Sequence, residues 1–136
     1  MKIKATILVL PIGKARPRHR LLKDGRIIDY LPEPTLTTQG MIQVHIRNTV
    51  MRQGSFPQGI PLKMAATFYR PRPKSASKKL LKPVTKPDWD NYGKLVSDAL
   101  NKFVYHDDAQ ITTAVIKKRY GNPPRIELAL EEDLDE

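Results

Sequence analysis

The chain is 136 residues long and carries 24 Lys+Arg against 14 Asp+Glu, for a formal net charge of +10, with no cysteine. That length fits one domain able to bury roughly two-thirds of its unfolded surface, and the absent thiols exclude disulfides and thiolate metal sites. No apolar run approaches the ~18 residues of a membrane span. The opening MKIKATILVLPIG lacks a small-residue cleavage site and runs straight into Lys14, Arg16 and Arg18, so it reads as a core strand in a cytoplasmic protein.

In chain order, residues 3–10 (IKATILVL) are mostly β-branched or aliphatic and predict a buried strand ending at Pro11. LLKDGRIIDY then sets Asp24-Gly25 between apolar flanks, a hairpin signal. Leu36, Met41, Val44, Ile46 and Val50 fall near helical spacing, with Thr35 as N-cap, and predict a helix to about Met51. Residues 62–69 (LKMAATFY) predict a strand. The segment 70–87 that follows holds four prolines, seven basic residues and no acid, and predicts an irregular basic loop. Residues 90–101 predict a second helix, and residues 111–120 and 125–130 two strands joined by GNPP. The expectation is a small single α+β domain over residues 1–130. It would have a mixed β-sheet, two main helices and the basic loop ahead of the second helix. Residues 131–136 (EEDLDE) would form a frayed acidic tail.

The charge is unevenly distributed. Residues 1–87 hold 18 basic and 3 acidic residues, and residues 88–136 hold 6 and 11. A basic surface of this size favours a polyanion, most commonly nucleic acid. The acids gather in KPDWDNYGKLVSDALNKFVYHDDAQI, residues 86–111. Within the predicted helix, Tyr92, Leu95, Val96, Ala99 and Leu100 make one apolar stripe, while Asp90, Lys94 and Asp98 recur every four residues on another face. Asp88 or Asp90 suits the first turn, where the helix dipole favours an anion. The place of Asp98 on the helix suits an ion pair with Lys94 as well as a functional role. Asp107 and Asp108 lie just beyond the helix, where the chain enters a strand. If that return brings Asp108 beside Asp88 and Asp90, the three carboxylates need a cation to stay ionised together. Oxygen ligands of this kind suit Mg²⁺, which polarises a phosphodiester and supplies hydroxide near neutral pH. Lys94 can then stabilise negative charge in the transition state or help deprotonate the water. Asp-x-Asp by itself is a weak motif, equally consistent with ordinary helix-start acids and an exposed turn.

The combination is more specific than its parts. KPDWDN-YG-K-LVS-DAL-N followed by VYHDDAQI resembles the RusA family of Holliday junction resolvases, as do FYRPRPKS and the GKARPR after the first strand. The resemblance implies that Asp88, Asp90 and Asp108 are catalytic, metal-holding aspartates and that Lys94 is the catalytic lysine. Asp107 is left as a neighbour. It also implies a Mg²⁺-dependent homodimer, with Mn²⁺ as a possible substitute, that resolves four-way branched DNA by paired symmetrical nicks. Under this reading Arg16, Arg18, Arg20, Arg70, Arg72, Lys74, Lys78 and Lys79 track DNA phosphates. One of Lys117, Lys118 and Arg119, here taken as Lys118, faces the site by strand alternation. Trp89 is expected in the core. His19, His45 and His106 show no ligand spacing. A non-catalytic module for branched or duplex DNA, and a nuclease for another nucleic acid, are the alternatives.

Overall fold

The first strand, β1 (Lys2–Ile7), buries Ile3 and Ile7 on one face and leaves Lys2, Lys4 and Thr6 on the other. A computed structural model describes residues 1–135. The expected strand ends three residues early, because Leu8 and Leu10 turn outward as the chain leaves the sheet. β2 (Arg18–Leu21) and β3 (Ile27–Tyr30) form an antiparallel hairpin around Asp24-Gly25, with Gly25 at φ +86°. All eight strand residues of this arm are exposed.

α1 (Glu33–Gln53) starts earlier than its apolar pattern suggests. Pro32 takes the N-cap position and Pro34 lies in the first turn, where a missing N–H costs nothing. Thr35 is therefore not the cap. It is buried in the helix, and its hydroxyl accepts the Ala15 N–H at 3.4 Å. The buried face is Thr35, Thr38, Ile42 and Ile46, whereas Leu36 and Val44 of the expected stripe are exposed.

β4 (Leu62–Arg70) alternates strictly, with Leu62, Met64, Ala66 and Phe68 facing the helices. α2 (Trp89–Leu100) buries Tyr92, Leu95, Val96, Ala99 and Leu100, as its spacing requires, and Gly93 with them. Tyr92 stacks on Phe68 with ring centroids 4.5 Å apart. Gln39 and Gln43 of α1 donate to the Leu95 and Ala99 carbonyls at 3.3 and 2.9 Å, joining the two helices. β5 (Ile111–Tyr120) and β6 (Arg125–Glu132) complete a four-stranded sheet in the order β1-β6-β4-β5. Only the β4–β5 pair is parallel, so the sheet is mixed. Its connection runs through the basic loop and α2, which packs α2 on the sheet and places the helix antiparallel to β4.

The C-terminal acids depart from the expected frayed tail. β6 continues to Glu132, and Glu131 pairs in register with Lys2. Asp133 accepts from the Thr112 and Thr113 hydroxyls at 2.7 and 2.6 Å, and its N–H donates to the Pro61 carbonyl at 2.8 Å. Lys63 donates to Asp135 at 2.9 Å. Two threonines and a lysine on neighbouring strands thus give the acids local partners. The expected order of elements is otherwise the observed one: strand, hairpin, helix, strand, loop, helix, strand, strand.

Candidate active site along the second helix

Asp88 occupies the N-cap position of α2, and Asp90, Asn91 and Lys94 stand exposed along its polar face. Residues 11–17 run beside this face. The Lys14 N–H donates to the Asn91 carbonyl at 3.2 Å, and a Cβ on Gly13 would come within 2.9 Å of the Pro87 Cβ. Glycine is what lets the segment lie this close to the start of α2. The Lys14 ammonium pairs with the Asp98 carboxylate, so the partner of Asp98 is Lys14 and not Lys94. Lys94 makes no ion pair among the described residues. It lines, with Lys14, Ala15, Arg16, Pro17 and Asn91, a cleft of about 430 Å³ whose charged groups are all cationic.

At the N-terminal end of α2, two cations brace the loop that delivers Asp88. Arg70 donates to the Lys86 carbonyl at 2.7 Å and to the Thr85 carbonyl and hydroxyl at 3.1 and 2.8 Å. Lys118, the register partner of Phe68, donates to the same Thr85 carbonyl at 2.8 Å. Strand alternation therefore does send Lys118 to the helix side, with Lys117 on the opposite face. Partial burial and the charge of Arg70 hold the Lys118 amine below its ordinary value, with nearby Asp88 pulling the other way. Burial pushes the Tyr92 phenol up, opposed by Arg70, and its hydroxyl is buried without a hydrogen-bond partner.

At the other end, the chain leaves α2 through Asn101 and returns to the sheet at β5. A short 3-10 turn (Asp108–Gln110) makes the entry. Asp107 caps it, accepting the Ala109 N–H at 3.1 Å, while the Gln110 side chain accepts from the His106 and Asp107 N–H groups and donates to the Pro57 and Ile60 carbonyls. This capping box gives Asp107 a structural task. The Asp108 carboxylate takes no part in this cap; the Asp108 N–H donates to Asn101 Oδ1 at 3.2 Å, and its carbonyl accepts the Ile111 N–H. Partial burial, then Asp107, then Asp98 raise the Asp108 carboxyl, and Lys94 opposes them. The Ala109 N–H holds Asp107 low. Buried Tyr105 donates from its hydroxyl to the Ser97 carbonyl at 2.6 Å, bracing the same corner.

Lys94, Asp98 and Asp108 thus share a neighbourhood, and Asp88 and Asp90 share another. The expected convergence of Asp88, Asp90 and Asp108 does not occur within one chain. Twelve helical residues at about 1.5 Å each separate the Asp88 end from the Asn101 end by roughly 18 Å. Among the described residues, no three His, Cys, Asp or Glu side chains are grouped to hold a metal ion. The physical reason is the parallel β4–β5 pairing: it returns the chain to the start of β4, beside the C-terminal end of α2.

The expected DNA contacts divide by position. Arg18 and Arg20 lie on the exposed arm, Arg16 beside the cleft, and Lys74, Lys78 and Lys79 are exposed on the basic loop. Arg72 donates to the Ser77 carbonyl and sits 5.6 Å from the Tyr120 ring centre. Arg70 and Lys118 donate to Thr85 and Lys86 of the loop. Trp89, expected in the core, is 64% exposed. The sequence signal for Lys14 as the partner of Asp98 is confined to its place in GKARPR.

Two comparisons bear on this arrangement. The chain is 34% identical over 140 residues to an uncharacterized protein, YqaN, of Bacillus subtilis (strain 168), with 96% of each chain covered. The family model described as endodeoxyribonuclease RusA matches residues 9–131, which take in the residues after β1, the basic loop, α2 and the Asp107-Asp108 turn. The chain belongs to the RusA family of endodeoxyribonucleases, which resolve Holliday junctions.

Proposed function

We propose that this endonuclease works as a metal-dependent homodimer whose active sites are completed between subunits, with Asp88, Asp90, Lys94 and Asp108 as the catalytic set. The observation that carries this reading is the placement of Asp88 with Asp90 at one end of α2 and Asp108 at the other. A two-fold axis that crosses two α2 helices antiparallel brings the Asp88 end of one subunit toward Asp108 of the partner subunit, twice over. Paired nicks in a four-way junction need two such sites.

The donors are carboxylate oxygens, which suits Mg²⁺ or Mn²⁺: Asp88 at the N-cap and Asp90 in the first turn are both exposed, and two carboxylates plus water and phosphate satisfy such an ion. When bound, the ion supplies charge stabilisation at the phosphate and a lowered pKa for water. Lys94 contributes a positive charge, which stabilises the developing phosphorane-like charge. Lys14 pairs with Asp98, neutralising an acid that would otherwise face incoming phosphates. Arg70 and Lys118 hold residues 85–86 and so fix where Asp88 stands. Arg16, Arg18, Arg20 and the loop lysines Lys74, Lys78 and Lys79 provide sequence-independent contacts to the DNA backbone.

The test is cleavage of a synthetic four-way junction with and without Mg²⁺, with a linear duplex as control. Symmetrical nicking that requires the metal and is lost in Asp90→Asn is expected. Metal-independent nicking, or full activity in that variant, overturns the reading.

A further inference from the structure

Trp89 is the only tryptophan in the chain and stands 64% exposed on the first turn of α2, directly between Asp88 and Asp90. Helical spacing puts it in line with Gly93 and Val96, both buried, and Gly93 rests against Ile116 of β5. The apolar stripe of α2 therefore runs one turn past the core and ends in an uncovered indole. A large aromatic left in water beside charged side chains calls for an occupant. Its surroundings say which kind. Two acids flank it in sequence, and Lys86, Arg70 and Lys118 gather at the same end of the helix. Such a concentration of charge at this end of α2 disfavours a dry apolar contact at the indole itself. It suits a nucleic acid, in which a charged backbone and flat, apolar base faces occur together.

We propose that Trp89 is a stacking platform for a base exposed at the branch point of the junction, and that it thereby contributes to selectivity for branched over linear DNA. The inference rests on the nuclease reading of Asp88 and Asp90, which flank it. In a continuous duplex both faces of every internal base are covered by neighbours. At a branch point stacking is interrupted, and a base face becomes available within reach of the phosphate to be cut. The indole offers a flat, rigid surface with few rotamers to freeze, and stacking tolerates any base. Trp89 is here a positioning and selectivity residue, not a member of the hydrolytic set.

Because the chain has one tryptophan, its fluorescence reports on this residue alone. The full-length protein is titrated, without divalent cation so that no cutting occurs, with a four-way junction and with a linear duplex of the same arm sequence. Saturation is checked independently by gel mobility. Quenching by the junction and little change with duplex is expected. Trp89→Ala should weaken junction binding about 10-fold, with duplex affinity unchanged, and Trp89→Phe should recover most of the loss. Equal quenching by both DNAs, equal weakening of both by Trp89→Ala, or an emission maximum in free protein that shifts to the blue as its concentration rises would each overturn the proposal, the last by placing Trp89 between two protein copies. A wild type that binds and nicks the junction without a fluorescence response sinks the stacking role alone. One that neither binds nor nicks junctions sinks the nuclease reading and this proposal together.

Discussion

Asp88 and Asp108 stand at opposite ends of one helix, the first at its N-cap and the second tied by its N–H to the C-cap residue Asn101 at 3.2 Å. No side-chain rotation closes a gap of roughly 18 Å, so these acids can act on one phosphate only across two chains. Asp90→Asn and Asp108→Asn should each be inactive alone. Mixed and allowed to exchange subunits, they should regain single nicks, because one site of the mixed dimer then holds only wild-type residues. An inactive mixture whose mixed dimers are confirmed by mass spectrometry would show that the acids do not share a site between subunits.

Lys94 makes no ion pair among the described residues and faces a cationic cleft. Lys94→Met should therefore leave the fold and junction affinity nearly unchanged while lowering the single-turnover nicking rate by ten-fold or more. Thermal melting, gel mobility and single-turnover kinetics separate the three quantities. A fall in affinity that accounts for the whole loss of rate would assign Lys94 to binding instead.

The Lys14–Asp98 pair has side chains only 19% and 25% exposed. Removing one partner leaves a half-buried charge, so Lys14→Met should cost about 1–2 kcal/mol, less than a fully buried pair because water still reaches it. The double change Lys14→Met, Asp98→Asn should recover part of that loss in urea unfolding. Additive costs would mean that the two residues do not interact.

Arg18 and Arg20 protrude on an exposed hairpin, and Lys78 and Lys79 on the loop. If they touch phosphates, removing each should flatten the plot of log affinity against log salt by about one unit of slope and weaken junction and duplex alike. An unchanged slope would place that residue off the DNA path.

Hydrogen bonds from Thr113 and Thr112 hold the Asp133 carboxyl below its ordinary value of 3.8. A lowered carboxyl stabilises the fold in its ionised form, so the contribution is complete above that value and is lost as the pH falls below it. Asp133→Asn should melt lower than wild type at pH 6, and the difference should shrink below about pH 3.8. A gap that stays undiminished as the pH falls well below 3.8 would mean the loss is not of ionised-state stabilisation.

The sequence by itself determined the order of elements, the buried stripe of α2 and the family, because each depends on local spacing. Tyr92, Leu95, Val96, Ala99 and Leu100 fall on one side of any helix, and PDWDN followed by HDDAQ is a fixed pattern. It also separated a basic half from an acidic one. It did not reveal that Asp108 stays at the far end of α2 from Asp88, since the parallel β4–β5 pairing decides that. The same limit explains the other departures. Trp89 has an apolar character that local pattern assigns to a core, but it stands in solvent. Asp98 has a lysine one turn away, yet a loop lysine from 84 residues earlier reaches it first. The acids after Leu130 look like a free tail, yet Thr112, Thr113 and Lys63 hold Asp133 and Asp135. In each case the deciding neighbour is distant in sequence, and only the packed sheet brings it near.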